Sequence, residues 1–370
     1  MSLLTIDLNA LVANYRRIAA TVAPARAAGV VKADGYGLGA AIVADALYGA
    51  GCRDFFVALT GEASALRPTL PVDARLFVLN GLAPGDEASM IAAAAIPVLN
   101  APADIARWRA AAQMAGRRLP AAVQVDSGMS RLGLAPDDVA AITADPASLD
   151  GIEVVLVMSH LACGDDPGAA ANIAQRARFG ELAAMLPDAP RSLANSGGSF
   201  LGAGFHGDLV RPGIALYGGA PQTTGTAVMD PVVSIDARIV QVRTVPAGTG
   251  VGYGLTSVAP HDRRIATLSY GYADGWPRML SNRGAAYVAG ICAPIAGRVS
   301  MDSICIDVTG VAADVLARTS HAELIGPHQT IDQVAADAGT IAYEILTGLR
   351  HRHARRIVAV AEREDAACGS

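Results

Sequence analysis

The chain reads Gly29-Val30-Val31-Lys32-Ala33-Asp34-Gly35-Tyr36-Gly37-Leu38-Gly39 where a short apolar strand gives way to a glycine-rich turn and then to a helix. Lysine is rare at the end of a β-branched strand because its ammonium must be desolvated there, which favours the neutral, nucleophilic amine. Lys32 is therefore a candidate for covalent catalysis of the Schiff-base type. Taken alone, the pattern fits equally well a lysine whose stem follows the strand while its ammonium reaches solvent.

Length and composition predict a two-domain protein. A chain of 370 residues exceeds one ordinary core, and a barrel of about 250 residues would be a natural domain within it. Apolar residues make up 52% of the chain, yet no continuous apolar run of about 18 residues predicts a membrane span. The net charge is −5, and the only basic cluster, Arg350 to Arg356, is typical of a solvated face near a helix end, so no nucleic-acid partner is expected.

Cysteine usage and the N-terminus predict a cytoplasmic location. The chain has an odd number of cysteines, and their spacing is not that of metal ligands. We therefore expect reduced thiols and no bound metal. The cysteines are Cys52, Cys163, Cys292, Cys305 and Cys368. The first residues carry Asp7 early and show no charged-then-apolar signal pattern, so export is not expected.

Eight short apolar strands alternate with helices from about Ala10 to about Ala220. The strands are predicted at Gly29–Lys32, Asp54–Thr60, Arg75–Asn80, Ile96–Asn100, Leu119–Asp126, Ile152–Leu161, Arg191–Asn195 and Leu209–Tyr217. Apolar residues recur at i, i+3 and i+4 in the helices between them, which include Leu38–Ala50, Pro102–Ala115 and Ala169–Leu186. Strict alternation predicts an α/β fold with a (β/α)8 TIM-type barrel over residues 1–225, rather than an open doubly wound sheet.

The pattern changes after about Val228. Val232–Val245 alternates apolar and polar residues, and Ala285–Val308 consists of short runs broken by Gly and Pro, both typical of antiparallel strands. Helical periodicity returns at Thr330–Leu349. We therefore predict a linker at Gln222–Gly225 and a mainly antiparallel β domain over 226–370, with the option that the first few residues of the chain pair with that domain.

Polar residues gather at the ends of the predicted barrel strands, where barrel enzymes place their active sites. They are Lys32, Asp126 to Arg131, His160, Asn195, Ser196 and Arg211. After strands seven and eight, the Ser196 hydroxyl and the backbone N–H groups of Gly213 and Ile214 occupy the common phosphate position of such barrels. A nucleophilic amine facing a phosphate cradle suggests pyridoxal 5'-phosphate as the cofactor.

Nine motifs in the same order make the whole chain resemble the alanine racemases, which are pyridoxal-phosphate enzymes built from a barrel and a β domain. The motifs are VVKADGYGLG (30–39), VDSGMSRLGL (125–134), SHLACGDD (159–166), LANSGG (193–198), VRPGIALYG (210–218), VGYG (251–254), GYADGW (271–276), GRVSMD (297–302) and YEIL (343–346). Each motif alone is a weak signal, whereas the ordered set is specific.

The resemblance implies a role for each matching residue. Lys32 would carry the cofactor, and the other cofactor-binding residues would be Tyr36, Asn195, Ser196, Arg211, Gly213 and Ile214, with Arg211 at the pyridine nitrogen. The substrate would be bound by Arg131, Tyr272, Met301 and Asp302 and reach the site through a corridor near Asp165, Arg278 and Arg298. The catalytic set would be Lys32, Tyr253, His160 and Arg211, and because Tyr253 would come from the second subunit, a homodimer with shared active sites is expected.

Racemisation requires this kind of arrangement. A proton leaves one face of the α-carbon and another arrives on the opposite face, so two bases are needed, here Lys32 and Tyr253. A tyrosine with its usual pKa of about 10 is a poor base, and His160 beside Arg211 resembles the device by which the family favours its ionised form. An arginine keeps its proton, so a pyridine nitrogen facing Arg211 would stay unprotonated and the ring would be a weaker electron sink, which disfavours transamination.

Each assignment has a structural alternative. His160 could be a core histidine, and Arg131 could pair with Asp126. Asn195 and Tyr253 could be turn residues. Met301 and Asp302 could be strand-edge residues, and Arg278, Arg298 and Asp165 could be surface charges.

The chain departs from the family at three places. Many alanine racemases have a carbamylated lysine where this chain has Gln124, which brings a dipole instead of a charge to orient Arg131. Many also have a C-terminal tyrosine that closes over the phosphate, where this chain offers His351 and His353. In the lysine motif, Asp34-Gly35 replaces the family's more frequent Asn-Ala pair.

The sequence thus predicts a homodimeric, cytoplasmic alanine racemase that interconverts L- and D-alanine and supplies D-alanine for the peptidoglycan of the cell wall. A broader amino-acid racemase is an alternative, because a small pocket rejects the extra hydroxyl of serine only weakly. A barrel-type pyridoxal-phosphate decarboxylase is disfavoured, since Arg211 stands where those enzymes have an acidic residue. A non-catalytic single-barrel pyridoxal-phosphate carrier is disfavoured by the β domain with Tyr253, and a biosynthetic or catabolic role stays open.

Overall fold

A computed structural model describes residues 1–224, 227–349 and 351–360. The chain divides into two compact units. The barrel unit comprises Val12–Leu216 and Ala220–Met229, and the β unit comprises Met1–Leu11, Tyr217–Gly219 and the residues from Asp230 onward. This division differs from a single boundary at 225/226, because the first strand of the chain pairs with strands of the β unit. Gly225 of the predicted linker lies outside the described residues.

The secondary structure alternates in the barrel unit and is mainly extended in the β unit. The strands are β1 (Leu3–Asp7), β2 (Arg26–Ala27), β3 (Gly29–Val30), β4 (Asp54–Val57), β5 (Arg75–Val78), β6 (Ala95–Leu99), β7 (Leu119–Gln124), β8 (Ile152–Met158), β9 (Arg191–Ser192), β10 (Leu209–Val210), β11 (Val233–Val245), β12 (Gly250–Val251), β13 (Ser257–Val258), β14 (Arg263–Leu268), β15 (Ala285–Val288), β16 (Ile291–Pro294), β17 (Ile304–Asp307), β18 (His321–Ile325) and β19 (Ala354–Val358). The α-helices are α1 (Leu8–Val22), α2 (Lys32–Tyr36, a turn rather than a regular helix), α3 (Ala40–Gly49), α4 (Thr60–Leu66), α5 (Glu87–Ala92), α6 (Pro102–Ala115), α7 (Pro136–Ala144), α8 (Ala170–Ala183), α9 (Ala313–Arg318), α10 (Ile331–Ala338) and α11 (Ala342–Gly348).

Parallel strands of the barrel unit close on themselves. Strands β3 to β9 form one parallel sheet in chain order, and β10 pairs in parallel with β2, which directly precedes β3. The amide N–H of Arg211 donates to the carbonyl of Ala194 at 2.9 Å, which links the β10 region to the β9 region. The predicted fold class, a barrel followed by a mainly antiparallel β domain, is confirmed.

Burial on both faces explains why the barrel strands read as continuous apolar runs. Phe55 and Phe56 on β4 and Phe77 on β5 are fully buried, and the rings of Phe56 and Phe77 stack with centroids 4.6 Å apart. Trp108 of α6 is 1% exposed and donates its indole N–H to the carbonyl of Pro120 at 3.2 Å. Because successive side chains of a strand point to opposite faces, Phe55 and Phe56 show that β4 is buried on both sides.

The β unit is a mixed sheet organised around the long strand β11. The strand order is β16-β15-β18-β11-β1-β19, and β14 joins β11 to β17. All these pairs are antiparallel except β1 with β19. In β11 the side chains alternate between buried and more exposed positions from Val233 to Arg238, as the alternating sequence predicts.

Several element ends differ from the sequence-based prediction. The last barrel strand stops at Val210 rather than Tyr217, because Pro212 has no N–H for the ladder. The helical segment predicted at Thr330–Leu349 is two helices, since Gly339 ends α10 in the left-handed conformation with φ 71°. The basic cluster follows a helix end, as predicted: α11 stops at Gly348, β19 begins at Ala354, and Arg350 lies outside the described residues.

Other composition-based expectations concern membranes and thiols. Within the described ranges, no helix combines the length and the apolar character that a bilayer crossing requires. Cys52, Cys163, Cys292 and Cys305 are free thiols, and Cys368 lies outside the described residues.

Candidate active site

Lys32 opens a left-handed turn at the end of the first barrel strand. The φ angles are 53° at Ala33, 53° at Asp34, 62° at Gly35 and 56° at Tyr36. For residues other than glycine, each such conformation costs roughly 1–2 kcal/mol. The Asp34 carboxylate offsets part of this cost by accepting a hydrogen bond from Ala40 N–H at 2.8 Å, where α3 begins. A Cβ at Gly35 would lie 3.1 Å from the backbone of Ala40, so the Asp-Gly pair of this chain suits the turn.

The electrostatic surroundings of Lys32 favour a neutral amine. Burial lowers the pKa of Lys32 below its ordinary value, the Arg131 guanidinium lowers it further, and the Glu62 carboxylate acts in the opposite direction. A lysine with a depressed pKa presents more of its nucleophilic form near neutral pH. The alternative of a lysine that simply reaches solvent is disfavoured by this enclosure.

The composition contains a signal for Lys32 that the motif-based reasoning missed. Lys32 is the only lysine in the chain, which otherwise uses arginine. At every other position where a lysine or an arginine stands, the chain has arginine. Because arginine cannot supply a neutral nucleophilic amine at working pH, the exception points to covalent chemistry at Lys32.

Arg211 is buried at the same end of the barrel. One guanidinium nitrogen, Nη2, donates to the carbonyl of Ser159 at 2.5 Å and lies 3.4 Å from Nδ1 of His160. The other, Nη1, donates to the hydroxyl of Ser192. Burial lowers the pKa of Arg211 to about 9, which leaves the guanidinium charged at neutral pH. Neutral oxygens and an imidazole thus hold a desolvated cation in a fixed orientation.

His160 is neutral in this environment. Arginine can only donate, so the lone pair of Nδ1 faces Arg211 and the ring proton is assigned to Nε2. Burial lowers the pKa of His160 to about 3, with further contributions from the charges of Arg211, Arg131 and Lys32. Asn195 Nδ2 lies 3.5 Å from His160 Nε2, and its Oδ1 accepts from Gly198 N–H at 3.0 Å. Asn195 is therefore part of this cluster and also stabilises a turn.

A second group at the barrel end has the features of a phosphate cradle. The Ser196 hydroxyl accepts hydrogen bonds from the N–H groups of Gly213 at 2.8 Å and Ala215 at 3.3 Å. Gly213 must be a glycine, because a Cβ there would lie 2.2 Å from the phenolic oxygen of Tyr36. The structure thus brings together Tyr36, Ser196 and Gly213, with Ile214 next in the chain. A hydroxyl, a phenol and backbone N–H groups are donors that suit a phosphate.

Arg131 lies on a loop that Asp126 shapes. The Asp126 carboxylate accepts from the N–H groups of Gly128, Met129 and Ser130 at 2.8–3.1 Å. Although burial acts to raise the pKa of Asp126, these N–H donors hold it below its ordinary value. Asp126 therefore acts on the backbone of the loop that carries Arg131. Gln124, where the family often has a lysine, is buried at the end of β7.

Four of the predicted residues line one cavity of the β unit. This cavity, of about 270 Å³, is lined by Tyr253, Tyr272, Arg278, Arg298, Val299 and Ser300. Tyr253 is 71% exposed and stands between Gly252 with φ 73° and Gly254 with φ 70°. The exposed phenol and the two guanidinium groups make this surface suitable for a small anion. Asp165, predicted for the same corridor, lies in the barrel unit, where its backbone carbonyl accepts from Thr223 N–H at 2.8 Å.

Asp302 forms an ion pair with Arg352, which sequence reasoning did not single out. Arg352 pairs with Asp302 at 2.7 Å and with Asp274 at 3.6 Å. His353 is 6% exposed and stacks on Tyr270 with ring centroids 5.8 Å apart, so it belongs to the interior of the β unit. His351, in contrast, is exposed.

Met301 lies beside the cavity of the β unit. Its side chain is 52% exposed, and its carbonyl accepts from Ala273 N–H at 3.0 Å. Among the residues that the structure describes, no three or more His, Cys, Asp or Glu side chains converge as a metal site would require.

Fold and site together define a barrel enzyme with a lysine of depressed pKa, a serine–glycine turn with donors that suit a phosphate, and a buried arginine at one end of the barrel. The family model for the alanine racemase N-terminal domain matches residues 6–221, and the model for the alanine racemase C-terminal domain matches residues 232–357. The chain therefore belongs to the alanine racemase family, which confirms the resemblance seen in the motifs.

Individual relatives match over nearly their full length. A protein of Agrobacterium fabrum named "Alanine racemase, catabolic" is 53% identical over 355 residues, which cover 96% of this chain and 92% of that protein. The fold is similar to the crystal structure of alanine racemase from Bartonella henselae with covalently bound pyridoxal phosphate. The TM-score is 0.92 and the sequence identity 43%, and the match covers 96% of this chain and 99% of that one. The biosynthetic alanine racemase from Pseudomonas aeruginosa has a TM-score of 0.87 and 34% identity, covering 97% and 99%.

A neutral His160 leads to a first prediction. With its pKa lowered to about 3, the imidazole should stay neutral from pH 8 to pH 5, whereas an unperturbed histidine would protonate with a midpoint near 6.5. NMR of protein labelled at histidine Cε1 should show one signal that does not move over this range and that is missing in His160→Gln. In denaturant every histidine signal should titrate. A His160 signal that titrates near pH 6.5 in the folded protein would contradict the arrangement with Arg211.

Proposed function

We propose that this protein is an alanine racemase that uses pyridoxal 5'-phosphate to interconvert L- and D-alanine. The observation that carries the proposal is the single lysine of the chain at a barrel strand end, with a depressed pKa and with Arg131 and His160 in its electrostatic surroundings. The relative from Bartonella henselae, which holds pyridoxal phosphate covalently, supports the same cofactor here. Family membership supports alanine as the substrate.

The residues at the barrel end fit this cofactor. Lys32 would bond it covalently, and its phosphate would be held by Tyr36, Ser196 and the backbone of Gly213 and Ile214, where the Gly213 N–H orients the Ser196 hydroxyl. The close approach of the Tyr36 phenol to Gly213, where a Cβ would lie 2.2 Å from the phenolic oxygen, brings the groups proposed to hold the phosphate together. When bound, the cofactor supplies an electron-withdrawing ring that stabilises negative charge on the α-carbon of an amino acid.

Arg211 and His160 form a chain of donors in the proposed site. The buried guanidinium would donate to the ring nitrogen of the cofactor, since it cannot give up its proton at working pH. Burial, assisted by the Arg211 charge, keeps His160 neutral. With Nδ1 facing Arg211, the ring proton on Nε2 would be available for a neighbouring phenolate. A hydrogen bond of this kind favours the ionised form of a tyrosine and makes that tyrosine a better base.

Proton transfer would use two bases. The Lys32 amine would serve one face of the α-carbon, and the partner subunit's Tyr253 would serve the other. The high exposure of Tyr253 within its own chain suits a residue that acts across a subunit interface. We therefore propose a homodimer in which each active site contains residues of both subunits.

Arg131 would bind the carboxylate of alanine. Its loop is fixed by Asp126 through backbone N–H groups, which reduces the need for a charged partner at Gln124. Met301, Asp302 and Tyr272 would approach the substrate from the β unit of the partner subunit, and Asp302 would do so in the orientation set by Arg352. Serine is a second substrate to consider, because one added hydroxyl is rejected only weakly by a small pocket.

The physiological role is the finer part of the proposal. A reversible racemase in the cytoplasm can supply D-alanine for peptidoglycan or convert D-alanine for degradation. The name of the Agrobacterium fabrum relative favours the catabolic direction, whereas the Pseudomonas aeruginosa structure is that of a biosynthetic enzyme. Growth of a D-alanine-requiring bacterium on expression of this protein would support the supply role, and growth only with added D-alanine would exclude it.

A direct assay tests the activity. Purified protein loaded with pyridoxal phosphate should convert L-alanine to an equal mixture of enantiomers, as resolved by chiral chromatography, and serine should react more slowly. Lys32→Arg should abolish the reaction, because it keeps the positive charge but removes the only side-chain amine of the chain. Absence of racemisation by the loaded wild type, or full activity of Lys32→Arg, would contradict the proposal.

Mixed dimers test the shared site. Tyr253→Phe should be strongly slowed in both directions, because each direction uses both bases, and Lys32→Arg should be inactive. Because a heterodimer of the two variants retains one site with both bases, mixing them under conditions of proven subunit exchange should restore up to about a quarter of wild-type activity, the statistical share of intact sites. Exchange without any recovery would show that both bases come from the same chain.

A further inference from the structure

Glu62 makes contacts that no part of the proposed reaction has yet used. Its oxygen Oε1 accepts a hydrogen bond from Ala33 N–H at 2.7 Å. Its oxygen Oε2 accepts from Ala58 N–H at 2.7 Å and from Leu59 N–H at 3.2 Å. One carboxylate therefore joins the residue that follows Lys32 to the residues that follow the neighbouring strand β4.

We propose that Glu62 is a positioning residue for Lys32, because its carboxylate ties the left-handed turn that begins at Lys32 to the end of the adjacent barrel strand. This inference rests on the proposed function of Lys32. Ala33 is the first residue of the left-handed run, and its N–H is held by this side chain rather than by the regular hydrogen bonding of a helix. Fixing this N–H fixes the direction in which the Lys32 side chain leaves the strand.

Only a carboxylate suits this position. All three groups that face Glu62 are N–H donors, and a carboxylate accepts through both oxygens. In glutamine an NH₂ group replaces one of the two oxygens. This donor would then face either the N–H of Ala33 or the N–H groups of Ala58 and Leu59, which are also donors. Aspartate keeps the charge but is shorter by one methylene, so it cannot span both sides in the same geometry.

The charge of Glu62 has a second consequence for Lys32. The charged and titratable groups in the electrostatic surroundings of Lys32 are Arg131, His160 and Glu62, of which only Glu62 is acidic. Glu62 raises the pKa of Lys32 against the lowering effects of burial and Arg131. Loss of this negative charge should therefore move the titration of Lys32 to lower pH, and a purely structural role in helix capping would not do so.

Asp138 provides a matched control. It lies in the first turn of α7, as Glu62 lies in the first turn of α4, and both side chains are partly buried. The Asp138 carboxylate accepts from Ala135 N–H at 2.9 Å, which is the same type of N-terminal cap. Asp138→Asn thus reports the effect of weakening a helix cap alone.

The single lysine makes the charge effect directly measurable. Reductive methylation with ¹³C-formaldehyde labels only amines, which in this chain are Lys32 and the N-terminus. In cofactor-free, full-length protein the NMR signal that is absent from Lys32→Arg should titrate at lower pH in Glu62→Gln than in wild type. In Glu62→Asp and Asp138→Asn, the pH midpoint of the Lys32 titration should stay near that of wild type.

Kinetics of the loaded enzyme test the positional effect. In Glu62→Gln and Glu62→Asp, kcat for alanine should fall about 10- to 100-fold, as for a displaced reacting group, while KM stays nearly constant because Arg131 is unaffected. Asp138→Asn should keep the kcat of wild type. The proposal would be overturned if Glu62→Gln behaved like Asp138→Asn, with the same pH midpoint for the titration of Lys32 and the same kcat.

The outcomes for Glu62 and for the proposed function are separable. If Glu62→Gln does not fold, Glu62→Asp carries the test, and a wild-type kcat in Glu62→Asp would overturn the positional role. If loaded wild type does not racemise alanine, the proposed function fails, whereas the Lys32 midpoint in cofactor-free protein still decides whether Glu62 controls the amine.

Discussion

Desolvation of positive charge at one end of the barrel is the constraint on which the site depends. Arg211 is buried and held by a carbonyl, a hydroxyl and an imidazole, and the Arg131 guanidinium and the Lys32 amine lie in the electrostatic surroundings of His160. Burial lowers the pKa of both His160 and Lys32, and the neighbouring positive charges lower both further, which keeps His160 neutral and favours a neutral Lys32 amine. Such a cluster suits an anionic ligand, and both the phosphate of the proposed cofactor and the carboxylate of alanine meet that requirement.

The barrel makes this arrangement possible because parallel strands present their carboxyl ends on one side. The groups of the barrel unit come from the ends of different strands, so the rigid sheet fixes their spacing and the turns fix their directions. The left-handed turn after Lys32 is the least favourable of these local structures. Bonds from Glu62 and Asp34 hold it, which links the stability of the turn to the reactivity of the lysine.

Much of this protein could be predicted from its sequence, and the misses have physical causes. Strict alternation identified the barrel, and the ordered motifs identified the family. Glu62 was missed because an acidic residue in the first turn of a helix is a common cap, and its contact with Ala33 depends on tertiary structure. The two C-terminal histidines could not be separated by sequence, since only the fold shows that His353 packs on Tyr270 while His351 is exposed.

The identity of the cofactor-bearing residue is tested most directly by reduction. The protein loaded with pyridoxal phosphate is treated with borohydride, and its intact mass and peptides are analysed by mass spectrometry. A racemase acting through Lys32 should gain one stable pyridoxyl group per chain, located on the peptide that contains Lys32, the only lysine of the sequence. A pyridoxyl group on the N-terminal amine, or active protein that gains none, would contradict the assignment of Lys32.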